Sequence, residues 1–172
     1  EQSTFLVTWW IEVANSIKEA GFDWSLEYLE VVIQEEYDFW MEKLKQAPWA
    51  NLSFPASVIQ IGNGYWVQEQ LFSKYPSILP LRYLPNFPIK PNYKNDSTKM
   101  LKGIIDENEI SDQVVFLFYI RMSPVIKINL FDLVNMNVET VLPDLEDVAV
   151  MAIDGSWLIF KSLEGEWVFG RQ

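Results

Sequence analysis

Residues 147–170 read DVAVMAIDGSWLIFKSLEGEWVFG, and this stretch decides the fold. It contains three short apolar runs, at 148–153, 157–160 and 167–169, separated by Asp154-Gly155 and by Glu164-Gly165. An Asp-Gly pair between two strand-like runs is a strong β-hairpin signal, because both residues tolerate the backbone angles of a tight turn. We therefore predict a three-stranded antiparallel meander. Such a small sheet needs further strands and a covering layer to be stable.

Earlier parts of the chain supply candidates for those strands. Residues 114–122 are apolar on both faces, which predicts a central strand, and 125–131 follow as the next strand. Residues 57–61 predict a further short strand, and 98–107 predict a short helix. The expected sheet is mainly antiparallel and has five or six strands.

The N-terminal residues 4–46 predict an antiparallel helical hairpin. Apolar residues recur at three- and four-residue spacing up to Gly21, which stands where a left-handed C-terminal cap belongs, with Phe22 able to fold back on the last turn. A second helix is predicted over 23–46, before Pro48. A connection of two or three residues makes the helices antiparallel, so the pair would cover one face of the sheet.

These pieces predict a single α+β domain over 1–172, with the hairpin at 4–46 and the C-terminal sheet at 113–170. A Pro-rich crossover at 76–95 connects the two parts. Five prolines alternate with large apolar residues in it, which excludes a regular helix or a central strand. A loop this apolar is expected to pack on the body of the domain or on a partner.

The predicted second helix separates apolar from acidic residues when it is drawn at 100° per residue. Val32, Ile33 and Phe39 fall on the predicted core face with the other apolar residues. The opposite face forms an acidic ridge: Glu27, Glu30, Asp38 and Glu42. Glu36 projects into the apolar arc, where we expect either an intramolecular pair with a base on the sheet or a helix end near solvent, or a position in a pocket as a candidate acid.

The composition excludes several classes of function. A net charge of -11 argues against nucleic acid as a partner, because phosphate binding needs a basic surface. Cys and His are absent, which removes thiolate nucleophiles, Cys-based zinc sites and the usual acid/base group near neutral pH. The chain also lacks the glycine-rich phosphate loops of nucleotide-binding proteins. We therefore expect no enzymatic activity, no cofactor and no metal.

Membrane insertion is not expected either. No window reaches 18 uninterrupted apolar residues, and the opening Glu1-Gln2-Ser3 lacks the positive region of a signal peptide. We expect a soluble, mature chain without a membrane partner, and a leader or tag removed earlier stays an open alternative.

The acidic hairpin at 4–46 and the closing meander, with Ala152-Ile153-Asp154-Gly155-Ser156-Trp157, resemble the bacterial immunity proteins of polymorphic-toxin and contact-dependent growth inhibition systems. The resemblance implies a cytoplasmic, cofactor-free protein that neutralises a cognate basic toxin domain, expected to be a nuclease, by direct protein-protein binding. We expect it to act as a monomer or weak homodimer. The predicted interface combines the ridge with a second acidic segment: Glu27, Glu30, Asp38, Glu42, Asp144, Glu146 and Asp147. A solvated helix face is the alternative explanation of the ridge.

Two other functions are open from the residues alone. The first is a small-molecule or saccharide-binding module that uses Tyr65 and Trp66, with the Pro-rich loop as a wall. Trp24 and Trp49 also stand near element ends, where exposed aromatic rings could bind a partner. The second is a structural subunit in which the apolar segment 76–91 is an oligomer contact.

Overall fold

The computed structural model describes residues 12–46, 49–50, 52–62, 97–119, 125–136, 147–162 and 165–171. Within these residues the chain forms an α+β fold of seven strands and four helices. In chain order the elements are α1 (12–19), β1 (Trp24–Val31), α2 (Gln34–Lys43), β2 (Ile59–Ile61), α3 (Ser97–Glu107), β3 (Val114–Tyr119), β4 (Val125–Asn129), α4 (Leu130–Val134), β5 (Val148–Ala152), β6 (Trp157–Lys161) and β7 (Trp167–Arg171). The predicted crossover at 76–95 lies outside the described residues.

The seven strands form one mixed sheet in the order β2-β1-β4-β3-β5-β6-β7. All neighbouring pairs are antiparallel except β1 with β2, which is parallel. The predicted meander is confirmed as β5-β6-β7, and β3 is central, as its apolar sequence predicts. At the first hairpin Gly155 has a φ of 73°, and Asp154 Oδ1 accepts the backbone N–H of Ser156 at 3.0 Å. The predicted number of five or six strands was too small, and the parallel pair was not expected.

Both faces of the sheet are buried. On one face Leu117 and Ile126 belong to a core that also contains Val13 and Ile17 of α1 and Leu101 of α3. The other face carries a second cluster of buried residues: Tyr28, Phe116, Phe118, Val125, Ala149, Met151, Leu158, Phe160 and Val168. Burial on both sides explains why β3 reads as a continuous apolar run.

The predicted helical hairpin is wrong in its second half, because residues 24–31 form strand β1 and α2 begins only at Gln34. The pairing of β1 with β4 shifts between Leu26 and Tyr28, which marks a β-bulge. The bulge places Leu26 and Leu29 in the same core cluster, although they are three residues apart. A spacing of three between apolar residues is also typical of a helix face, so the sequence of the bulged strand has the apolar pattern of a helix.

The end of α1 confirms the predicted cap. Gly21 has a φ of 77°, and the N–H of Phe22 donates to the carbonyl of Ile17 at 3.4 Å. The predicted strand 125–131 ends early at Asn129, whose side-chain oxygen accepts the N–H groups of Phe131 and Asp132 and so starts α4. The helix predicted over 98–107 is present as α3.

Candidate protein-binding surface

The predicted acidic ridge does not exist as one helix face. Glu27 and Glu30 lie on strand β1, whereas Asp38 and Glu42 lie on helix α2. Asp147 is buried, with 6% of its surface exposed. Two further members of the predicted interface, Asp144 and Glu146, lie outside the described residues, as do Tyr65 and Trp66 of the alternative ligand site.

Glu27 takes part in an interaction within the sheet. Its carboxylate lies 3.6 Å from Lys127 Nζ, and the Glu27 side chain is only 17% exposed. The same ammonium group lies 5.6 Å from the centroid of the Phe116 ring, a cation–π distance. Glu27 therefore helps to join β1 to β4, and a partner would have to break this pair to use it.

Glu30 is exposed but also has an internal contact. The hydroxyl of Tyr28 donates to Glu30 Oε1 at 3.2 Å. Burial of Tyr28, followed by the nearby Glu30 charge and this hydrogen bond, raises the pKa of Tyr28 well above its usual value of about 10. Tyr28 thus stays neutral as a donor, and the exposed Glu30 lies on β1 opposite Gln60 of the edge strand β2.

Helix α2 presents the acids most openly. Trp40 and the C-cap residue Leu44 are buried on the side of α2 that faces the core, while Phe39 is 43% and Met41 is 40% exposed. At 100° per residue, Phe39 and Met41 flank an exposed strip that contains three acids. We call this strip with its flanks the α2 surface: Glu35, Asp38, Phe39, Met41 and Glu42.

The internal contacts of the α2 surface are weak ones. Asp38 Oδ1 accepts a hydrogen bond from Gln34 Nε2 at 3.0 Å, and Glu42 lies 3.7 Å from Lys45 Nζ with both side chains largely exposed. Exposed ion pairs of this kind contribute about 0–1 kcal/mol. Lys43 Nζ lies 5.6 Å from the Phe39 ring centroid. A partner could replace these contacts at little cost.

A second exposed apolar group adjoins α2. Val32 is 76% exposed, and Ile33 and Ile61 are also exposed. Ile61 lies opposite Val31 in the β1–β2 register, and Gly62 N–H donates to the Val31 carbonyl at 2.9 Å. Val32, Ile33 and Ile61 are therefore exposed apolar residues near the start of α2, and we call them the Val32 patch.

Contacts at the first turn and on the inner side of α2 hold the helix in place. Glu36 Oε2 accepts the backbone N–H of Val32 at 3.0 Å, one residue before the N-cap Ile33, so this carboxylate bonds back across the start of its own helix, much as the Glu of a capping box does. Underneath, Trp49 lies between Trp40 and Trp24, with ring centroids 5.6 Å and 5.4 Å away. Trp49 is buried and Trp24 half-buried, so neither ring forms the exposed surface that their positions suggested.

Sequence reasoning missed the apolar members of this surface. Val32, Ile33 and Phe39 were expected on the core face of a long helix, but all three are exposed. Because β1 ends at Val31 and α2 begins only at Gln34, α2 turns different residues toward the core than the predicted long helix would. The sequence carries no local signal of this exposure, since the apolar run Val31-Val32-Ile33 is typical of buried residues.

Two general features of the described residues complete the picture. They contain no group of three or more Asp or Glu side chains that could hold a metal ion. The helices seen in the same ranges are too short or too polar to cross a bilayer.

The chain matches no protein-family model, and searches against curated proteins and against solved structures found no match. Its function is therefore inferred from its own residues and their geometry.

Proposed function

We propose that this protein is a non-enzymatic, immunity-type inhibitor that neutralises a cognate toxin domain by binding the toxin's basic surface through α2. The observation that carries the proposal is the exposure of Phe39 and Met41 on both sides of Asp38 and Glu42. Aromatic residues and Met are enriched at protein interfaces relative to the rest of the surface.

Charge supports the same partner chemistry. The chain carries a net charge of -11, and the segment 34–46 contains four acids and two bases. A domain that cleaves nucleic acid must bind phosphates and therefore presents Lys and Arg. Opposite charges accelerate the encounter, and the apolar groups of the α2 surface and the Val32 patch then slow dissociation.

The proposed interface keeps part of the predicted one. Asp38 and Glu42 are its acidic centre, joined by Glu35, and Glu30 lies on the neighbouring strand β1. Glu27 is excluded because it pairs with Lys127, and Asp147 is excluded by its burial. Asp144 and Glu146 stay predictions. In this proposal the protein works without a cofactor, in the cytoplasm, as a monomer or weak homodimer.

The test is affinity capture from the native source at low and high salt, with mass spectrometry of whatever co-elutes in stoichiometric amount. We expect one basic protein, whose association rate falls steeply with ionic strength. The variant Asp38→Lys/Glu42→Lys should slow that association by about tenfold or more.

A matched control is Glu12→Lys/Glu19→Lys on α1, where both acids are exposed. It changes the net charge by the same amount but leaves the α2 surface intact, so its effect should be a few-fold at most. Capture of no protein partner would overturn the proposal. An equal effect of the two double variants would show that net charge alone matters and would remove α2 from the interface.

A further inference from the structure

A groove lies between α3 and α4, apart from the α2 surface. Its volume is about 290 Å³, and it is lined by Lys102, Ile105, Asp106, Phe131, Val134 and Asn135. Residues 102, 105 and 106 share one face of α3, because they have the spacing i, i+3, i+4, and 131 and 134 face them from α4 together with its C-cap residue Asn135. Two helix faces thus look into one concave space.

The groove has an apolar floor and a polar rim. Ile105 and Val134 are buried, while the Phe131 ring is 42% exposed and forms a side wall. Lys102, Asp106 and Asn135 are exposed. An apolar base with a few polar groups is the usual composition of small-molecule sites, and the volume stands near the lower end of their range of roughly 300–1,000 Å³.

Both walls are fixed before any ligand arrives. The N-terminus of α4 is capped twice, since Phe131 N–H donates to Asp112 Oδ1 at 3.0 Å as well as to Asn129 Oδ1 at 3.2 Å. At the C-terminus of α3, Asn108 Nδ2 donates to the Ile104 carbonyl at 2.8 Å. A preformed groove reduces the ordering cost of binding.

The two charges on the rim make no polar side-chain contact with the part of the chain that the structure describes. Across the described ranges, neither the Lys102 ammonium nor the Asp106 carboxylate has a hydrogen-bond or ion-pair partner. The two groups are four residues apart on the same helix face and carry opposite signs. They therefore offer one site for an anion and one for a cation above a single apolar floor.

We propose that this groove binds a small zwitterion with an apolar ring or chain, of the chemical class of aromatic and large aliphatic amino acids. The ligand carboxylate binds Lys102, its ammonium group binds Asp106, and its side chain packs on Phe131, Ile105 and Val134. This site uses neither the α2 surface nor the toxin partner, so it stands or falls independently of the inhibitor function.

The test is a titration of the full chain, followed by amide NMR shifts, with three probes: L-phenylalanine, 3-phenylpropionate and phenethylamine. The zwitterion should bind about tenfold more tightly than either singly charged probe, because it makes both charge-assisted contacts. Shifts should be largest at Phe131 and Asn135.

Two variants separate the roles of the rim charges. Lys102→Met should weaken L-phenylalanine about tenfold while leaving phenethylamine within about threefold, and Asp106→Asn should do the reverse with 3-phenylpropionate as the unaffected probe. Both side chains are exposed, so the variants should fold. Absence of shifts in the groove at millimolar probe, or equal affinity for all three probes, would overturn the proposal.

Discussion

Trp49 meets Trp40 edge-on, with the ring planes at 90° and the centroids 5.6 Å apart. This contact fixes the inner side of α2 to the segment that follows it and so determines which side of the helix faces solvent. Among the buried side-chain polar atoms of the described residues, the indole N–H of Trp49 has no hydrogen-bond partner. The ring is therefore held by packing alone.

We expect Trp49→Ala to lower the free energy of unfolding by about 3–5 kcal/mol, because it leaves a large cavity beneath α2. Trp49→Phe should cost about 1 kcal/mol, since it keeps an aromatic ring and removes an unsatisfied buried donor whose burial costs about 1–3 kcal/mol. Urea denaturation followed by far-UV circular dichroism measures both. Equal losses in the two variants would mean that the indole N–H does bind a partner.

Glu36→Ala should lower the free energy of unfolding by about 1 kcal/mol, because the Val32 N–H loses its acceptor at the start of α2. Glu36→Gln keeps an oxygen acceptor and should cost less. Glu35→Ala is the matched control, since Glu35 is exposed in the same turn, and its effect should be within about 0.5 kcal/mol. A larger loss for Gln than for Ala at position 36 would contradict the capping role.

Tyr28 makes stability depend on pH in the alkaline range. Its pKa is raised in the folded protein, first by burial, so above the unfolded pKa of about 10 the unfolded chain releases the Tyr28 proton while the folded chain keeps it. Tyr28 therefore stabilises the fold fully below pH of about 10, and this contribution falls as the pH rises further.

The check is a comparison of wild type with Tyr28→Phe in urea at several pH values from 8 upward. At pH 8 the variant should be less stable by about 1 kcal/mol, because the hydrogen bond to Glu30 is lost. This difference should shrink above pH of about 10, since the remaining tyrosines titrate equally in both proteins. A constant difference would show that the Tyr28 pKa is the same in the folded and unfolded chains.

Phe39→Ala should separate binding from stability. The ring is largely exposed and contacts Lys43 and Trp40, so its removal should change the free energy of unfolding by about 1 kcal/mol or less. Binding to the captured partner should weaken by more than 1 kcal/mol, roughly tenfold, if Phe39 anchors the interface. Ile153→Ala, a comparably exposed apolar residue in the β5–β6 turn, is the control and should bind normally. Calorimetry of each variant with the partner measures the difference.

The meander and β3 could be predicted because their signals are local. Asp154-Gly155 specifies a turn whatever surrounds it, and a strand buried on both faces needs no alternation. Strand β1 could not be predicted, because its bulge at Leu26 and Tyr28 replaces the period of two with a spacing of three. The parallel pairing with β2 depends on contacts between segments far apart in the chain.

For the candidate surface, the sequence predicted only which acidic residues are exposed. Asp38 and Glu42 are exposed as expected, because acids rarely enter a core unpaired. The exposure of Phe39 and Val32 depends on where β1 stops and α2 starts, and an apolar residue in a sequence does not reveal whether it will face the core or a partner. Glu27 was predicted to be part of the interface, but it pairs with Lys127, which lies on a strand distant in sequence. The sequence alone does not reveal such a pairing.

The register that pairs Trp24 with Ile128 also sets an order of events during biosynthesis. At about 5–20 residues per second, β4 leaves the ribosome roughly 5–20 s after β1. Until then Trp24 and Leu26 have no β4 to pair with, whereas β5, β6 and β7 can pair almost as soon as they emerge. Strand β1 thus depends on the much later strand β4 for its place in the sheet.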